Sequence, residues 1–274
     1  MTSPARAPRT AVVTAVHKRH EHLRRQQDAL ARSTVLPDLR VVVAMDDDSV
    51  DALVPGVTVL HLDRARRALP LAAARNAGAE AAVAAGAELL VFLDVDCLPG
   101  PGLVGAYRRA ATGARGDQLL SGAVAYLPPP PPEGYDLRQL PPHRFHPARP
   151  VAAAGTELAA EDHRLFWSLS FALTVHTWRR VGGFDEAFEG YGAEDTDLAM
   201  RARAAGVGLV WVGGAEAFHQ WHDTSTPPVQ HLDDILRNGA LFADRWGWWP
   251  MEGWLQAFAE RGLVRRAGPG WVRR

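Results

Sequence analysis

The sequence predicts an α/β fold, a mostly parallel central sheet flanked by helices. Three observations predict it. Short apolar runs of strand length alternate with helix-length segments. The most apolar run, residues 89–93, is too short for a buried helix and is bounded by turn residues. That run stops at two carboxylates, Asp94 and Asp96, and in open α/β sheets ligands gather at such carboxyl ends of strands. With 274 residues the chain can bury a sheet of this kind with helices on both faces.

The elements follow in order. Residues 11–16 read as a buried strand and 17–31 as a polar helix rich in Arg and Gln. Strands are expected at 39–45, ending in Asp46, Asp47 and Asp48, and at 57–62. The Ala-rich segment 71–85 reads as a helix with Gly86 in the position of its C-terminal cap. After the strand 89–93, residues 103–111 look helical and 118–126 strand-like. Residues 127–150 are Pro-rich, unfit for a sheet interior, and predict a wrapped or mobile loop. An apolar, aromatic stretch (165–178) leads to a Gly-rich turn at 181–185 and an acidic cluster, Glu194 to Asp197. A helix through 205, a strand at 207–212 and a His cluster at 218–223 complete the series. From 227 the tail reads as a helix, 229–245, followed by a Trp- and Arg-rich end.

Composition narrows the classes of function. Thirty basic and 31 acidic residues give a formal net charge of −1, which leaves no footprint for nucleic acid or a membrane surface. The single cysteine, Cys97, excludes an intramolecular disulfide and a cysteine-rich metal site, so a cytoplasmic location is expected. No stretch reaches the ~18 apolar residues of a membrane span. Arg64, Arg66 and Arg67 read as surface charges.

Asp94 and Asp96 are spaced so that on a strand both side chains share one face, and no Lys or Arg lies beside them. Two anions at a buried strand end need a counter-charge, and a divalent cation meets that need. An Asp capping the turn before Pro99 is the structural alternative. His219 and His222, three residues apart, are candidates to complete a metal shell. Arg75 and Asn76 lie near the start of a helix where a guanidinium and the helix dipole can attract phosphate. Glu194, Asp195 and Asp197 precede a helix that one of them is expected to cap.

Four segments occur together in one order: Val-Ala-Met-Asp-Asp-Asp-Ser at 43–49, Ala-Arg-Asn-Ala-Gly at 74–78, Phe-Leu-Asp-Val-Asp at 92–96, and Gly-Gly-Phe-Asp-Glu at 182–186 with Gly-Ala-Glu-Asp-Thr-Asp-Leu at 192–198. The set resembles a nucleotide-sugar glycosyltransferase of the GT-A fold, of the family 2 type, with a second half similar to the galactosyltransferase C-terminal region. Asp48 stands where that family has Gly. The resemblance implies one catalytic domain over 1–226, with a nucleotide-sugar half (1–98) and an acceptor half (99–226), and a helical Trp-rich extension at 227–274.

It also implies roles. Asp96 would bind Mn²⁺ or Mg²⁺, and Asp94 with Val95 would touch ribose or metal-bound water. His219, with His222 in reserve, would be the imidazole ligand. Thr14, Ala15, Val16 and Asp46 or Asp47 would grip the base, and Arg75 the diphosphate. Asp195 would be the general base of an inverting transfer to a hydroxyl acceptor, with Glu194 binding sugar hydroxyls. Tyr191, Gly192 and Trp221 would line the sugar or acceptor pocket. A homodimer through the tail tryptophans Trp246, Trp248, Trp249 and Trp254 is a further expectation. A retaining UDP-N-acetylhexosamine transferase, a sugar nucleotidyltransferase and a non-catalytic nucleotide-sugar-binding protein are the rival readings.

Overall fold

The computed structural model describes residues 6–63, 68–113, 116–141 and 143–274; Arg64, Arg66 and Arg67 lie outside them. The chain opens with strand β1 (Thr10–Val16), helix α1 (His20–Ala31), β2 (Leu39–Met45), β3 (Thr58–Leu62), α2 (Leu71–Ala84) and β4 (Leu89–Leu93). These follow the expected order closely. Helix α1 starts three residues late because Lys18 and Arg19 both adopt left-handed backbone, φ 57° and 49°. Gly86, at φ 87°, takes the left-handed position just beyond α2, where a side chain would be strained.

The second half runs β5 (Cys97–Pro99), α3 (Leu103–Gly113), β6 (Gln118–Tyr126), β7 (Arg144–Phe145), β8 (Glu157–Ala159) and β9 (Ser170–Thr174). Then follow α4 (Val175–Val181), α5 (Glu194–Ala204), β10 (Gly208–His219), α6 (Leu232–Trp246), α7 (Glu252–Glu260), β11 (Val264–Ala267) and β12 (Gly270–Arg273). Among the described residues the main sheet has the order β3-β2-β1-β4-β9-β6-β10-β5. Its first four strands are parallel, and β9 and β5 run antiparallel to their neighbours.

Alternation along β4 sorts its side chains between two cores. Leu90 and Phe92 face α2, α4 and α5, where Phe92 stacks on Phe171 at 4.6 Å and meets Trp178 at 5.1 Å. Leu89, Val91 and Leu93 face α3 and the end of α1. The result is three layers, helix, sheet and helix, and no described helix is long and apolar enough to cross a membrane.

The Pro-rich segment wraps the body, one of the two forms expected of it, burying Leu127 and Tyr135 against Ala29 and Leu98, and Arg144–Phe145 pairs at the tip of β6. Two expectations change. Strand β10 does not stop at 212: it shifts register between Val212 and Ala217 and continues to His219. The tail is not wholly helical, since β11 and β12 form a hairpin. Its tryptophans are half-buried against the chain's own residues, Trp249 and Trp254 with Leu255 and Phe258, Trp246 and Trp248 with Phe242.

Candidate active site

The site is assembled by one piece of register. Strand β4 ends at Leu93, and residues 94–96 form a turn rather than a strand end, closed by Cys97 N–H donating to Asp94 O at 2.8 Å. Strand β5 then pairs antiparallel with the end of β10, His219 opposite Cys97, and Gln220 N–H donates to Asp96 O at 2.7 Å. This brings His219 and His222 to Asp96. Their Nε2 atoms lie 3.6 and 3.5 Å from Asp96 Oδ2. Each residue offers a ligand atom within 4.8 Å of the other two. One carboxylate oxygen and two imidazole nitrogens in this triangle fit a divalent transition ion. Burial alone would raise the Asp96 pKa, but His222, His219 and Arg19 together hold it well below the usual carboxylate range. Asp96 in turn raises His222.

The two carboxylates sit in a turn, and their closest protein partners differ. Asp94 accepts from Arg75 Nη2 at 2.8 Å, while Arg75 Nη1 donates to Glu194 Oε1 at 3.1 Å. Arg75 is 3% exposed, lies over the Phe184 ring at 5.0 Å, and is held in its charged form against burial by these two carboxylates. Arg75 thus bridges the Asp94 turn and the acidic cluster. Asn76 bonds both the N–H and the C=O of Phe184, so the next residue of the same helix pins the Gly-rich turn.

Glu194 and Asp195 open α5 behind Ala193, whose φ of 74° is costly for a residue with a Cβ. Burial and its neighbour Asp195 push Glu194 up to about 7, and its Oε2 is buried without a hydrogen-bond partner. Burial raises Asp195 as well, against hydrogen bonds from Thr196 and the Ser168 backbone. Asp197 is fully buried and binds Arg201, Arg245 and the Trp246 indole at 2.7–2.9 Å, which makes it a bolt between α5 and α6.

The base-binding expectations divide. Thr14 is buried and its hydroxyl donates to Gln26, whose amide spans Asp94 O (2.7 Å) and Cys97 O (3.1 Å). Val16 and Val95 pack in one apolar cluster with Val42 and Leu23, and Ala15 is half-buried. The side chains of Thr14, Val16 and Val95 therefore face the interior. Asp47 accepts from Lys18 N–H, His20 and Ser49, and these bonds outweigh burial to hold it at about 2, so it clips the β1–α1 loop to β2. Asp46 ends β2 at φ 45°.

On the far side Tyr191 is exposed and stacks on His231 at 4.4 Å, with Trp254 at 5.8 Å. A Cβ on Gly192, at φ 96°, would sit 2.8 Å from Met251 Sδ, so the tail packs tightly on the loop before Glu194. Asn238 Nδ2 reaches the carbonyls of Glu189, Tyr191 and Gly192 at 2.9–3.3 Å. Trp221 is exposed, and its N–H donates to Tyr135 Oη from the Pro-rich loop at 3.1 Å.

Two functional candidates escaped the sequence. Arg19, thrown forward by the left-handed pair, brings Nη1 within 3.5 Å of Asp96 Oδ2; its only signal was a basic run directly after the first strand. Arg149, from the Pro-rich loop, lies over the Trp167 ring and acts electrostatically on Tyr126 and Asp195. No local pattern pointed to it.

Residues 161–223 match the family described as the N-terminal domain of galactosyltransferase. Validoxylamine A glucosyltransferase of Streptomyces hygroscopicus subsp. limoneus is 32% identical over 247 residues, 78% of this chain and 52% of that protein. The protein of the same name from subsp. jinggangensis is 32% identical over 248 residues, 78% and 56% respectively. The chain spans about half the length of these curated relatives. GalNAc-T7 with UDP, GalNAc and Mn²⁺ superposes with TM-score 0.58 at 15% identity, covering 94% of this chain and 51% of that one. The Pyrobaculum calidifontis mannosyltransferase PcManGT with GDP-Man and Mn²⁺ gives 0.58 at 17%, covering 94% and 76%. S. aureus TarS residues 1–349 give 0.58 at 11%, covering 86% and 64%. The fold is shared with all three.

Proposed function

From a chain that has the GT-A nucleotide-sugar glycosyltransferase fold with a galactosyltransferase-type segment, we propose an inverting transferase that moves a hexose from a UDP-sugar to a hydroxyl acceptor. One observation carries the reading. The Asp96, His219 and His222 triangle and the Arg75 bridge from Asp94 to Glu194 are joined through the 94–96 turn, which sets a candidate metal triangle near a carboxylate pair of raised pKa.

Asp96, His219 and His222 would hold the divalent cation, and two imidazoles beside one carboxylate favour Mn²⁺ over Mg²⁺. When bound, that cation supplies charge neutralisation to the departing nucleoside diphosphate. Arg75 fixes the Asp94 turn and the acidic cluster at one spacing. Asp195 takes the proton from the acceptor hydroxyl as its oxygen forms the new bond to the anomeric carbon and the bond to the diphosphate breaks. Glu194 sits beside it as a second carboxylate, whose charge raises the basicity of the pair.

The test is product chemistry. With Mn²⁺ and a UDP-sugar, the protein is expected to release UDP, and NMR is expected to give the opposite anomeric configuration in the product. Retained configuration would assign the retaining mechanism instead, and release of pyrophosphate would assign nucleotidyl transfer.

A further inference from the structure

The Pro-rich loop delivers a cation to the acceptor side of the site. Arg149 has its guanidinium over the Trp167 ring, and its Nε is buried with no hydrogen-bond partner. None of the side-chain hydrogen bonds or ion pairs among the described residues involves it. Burial pushes it down to about 10, so it keeps its charge at neutral pH, and the groups that favour that charge are Tyr126 and Asp195. Tyr126 lies against His219 at 5.2 Å. Arg149 therefore shares an electrostatic neighbourhood with Tyr126, which lies against the imidazole end of the candidate cation site, and with the carboxylate assigned as base.

A half-buried guanidinium held by a ring face, with its Nε out of water and no carboxylate partner, is costly unless something else supplies the anion. A small cavity adjoins it, lined among others by Ser121, His146, Trp167 and Trp211. These residues belong to the second half of the chain. Asp195 is among the charges that favour the charged guanidinium. The anion it serves is thus placed on the side of the base.

We propose that Arg149 is a specificity-determining residue that binds an acidic group, a carboxylate or phosphate, on the acceptor next to the hydroxyl that is glycosylated. The proposal rests on the transferase reading of the same site. A planar guanidinium stacked on Trp167 can offer two parallel N–H donors to such a group, which neutral sugar hydroxyls would use poorly.

Ligand-observed NMR titration of the full chain with Mn²⁺, in the presence and absence of UDP, tests it with glucuronate, glucose 6-phosphate and glucose as probes. The acidic sugars are expected to bind about tenfold more tightly than glucose. That preference is expected to vanish in Arg149→Gln, to survive in part in Arg149→Lys, and to leave UDP affinity the same in all three proteins. Equal binding of the three sugars to the native protein, or a preference that survives Arg149→Gln, overturns the proposal. So does weakened UDP binding in Arg149→Gln with the sugar preference intact, which would give the anion to the donor. Absence of Mn²⁺-dependent UDP binding in the native protein counts against the transferase reading, while the sugar preference still decides the role of Arg149.

Discussion

At the scale of single residues the site is a set of charges whose neighbours decide their work. Asp96 is kept ionised by two imidazoles and Arg19, which suits a metal ligand; Asp195 is raised by burial, which suits a base. Asp96→Ala is expected to lower metal-dependent turnover by about 10³-fold, the worth of several kcal/mol of charge stabilisation. Asp195→Asn is expected to lower kcat by about 10²–10⁴-fold with UDP binding retained, measured by turnover and calorimetry together. Full turnover in the Asn variant would remove Asp195 from the base role. The raised pair also sets a pH dependence. A base works only when deprotonated, and with Asp195 raised above the ordinary carboxylate range, kcat is expected to fall on acidification before an ordinary aspartate would protonate. A rate that holds down to the ordinary aspartate range, about pH 4, would contradict a raised carboxylate base.

At the scale of elements, what matters is how distant pieces are held at one spacing. Helix α2 contributes Arg75 to Asp94 and Glu194, and Asn76 to the Gly-rich turn that follows α4 and leads to the acidic loop. Helix α6 contributes Arg245 and Trp246 to the fully buried Asp197, and Asn238 to the loop carbonyls. Removing Asp197 would leave two guanidinium groups and an indole N–H short of their acceptor. Asp197→Ala is therefore expected to cost about 3–5 kcal/mol, read as a lower midpoint in denaturant unfolding. A loss under about 1 kcal/mol would mean that the bolt between α5 and α6 is a surface pair in effect. Phe92, stacked between Phe171 and Trp178, carries the same test for the sheet: Phe92→Ala is expected to cost about 3–5 kcal/mol.

At the scale of the whole molecule, the tail and the body form one working unit, because residues 227–274 hold the loop that presents Glu194 and Asp195. Deleting that tail is expected to lower the melting temperature and abolish turnover; a truncated chain with native turnover would separate the tail from the site. Much of this was legible beforehand. Strand periodicity and turn residues marked β1 to β4, β6 and α2 nearly to the residue, since local sequence decides a buried strand and its ends. Asp94, Asp96, Arg75 and Glu194 were visible through motifs. What was not legible depends on long-range pairing: the β5 to β10 register that sets two histidines on Asp96, the turn that sends Asp94 to Arg75, and the fold of a Pro-rich loop that brings Arg149 to Asp195. Side-chain direction at Thr14 and Val16 was equally hidden, because strand alternation gives two faces without saying which one meets the crevice.

The central claim is that Asp96, His219 and His222 hold a divalent cation that anchors the donor. Anomalous diffraction at the manganese edge, from crystals grown with Mn²⁺ and UDP, tests it most directly. The account predicts one strong peak about 2.2 Å from an Asp96 carboxylate oxygen and from at least one histidine Nε2, with the diphosphate on its open side. A peak elsewhere in the molecule, or bound UDP with no peak at that triangle, would contradict it.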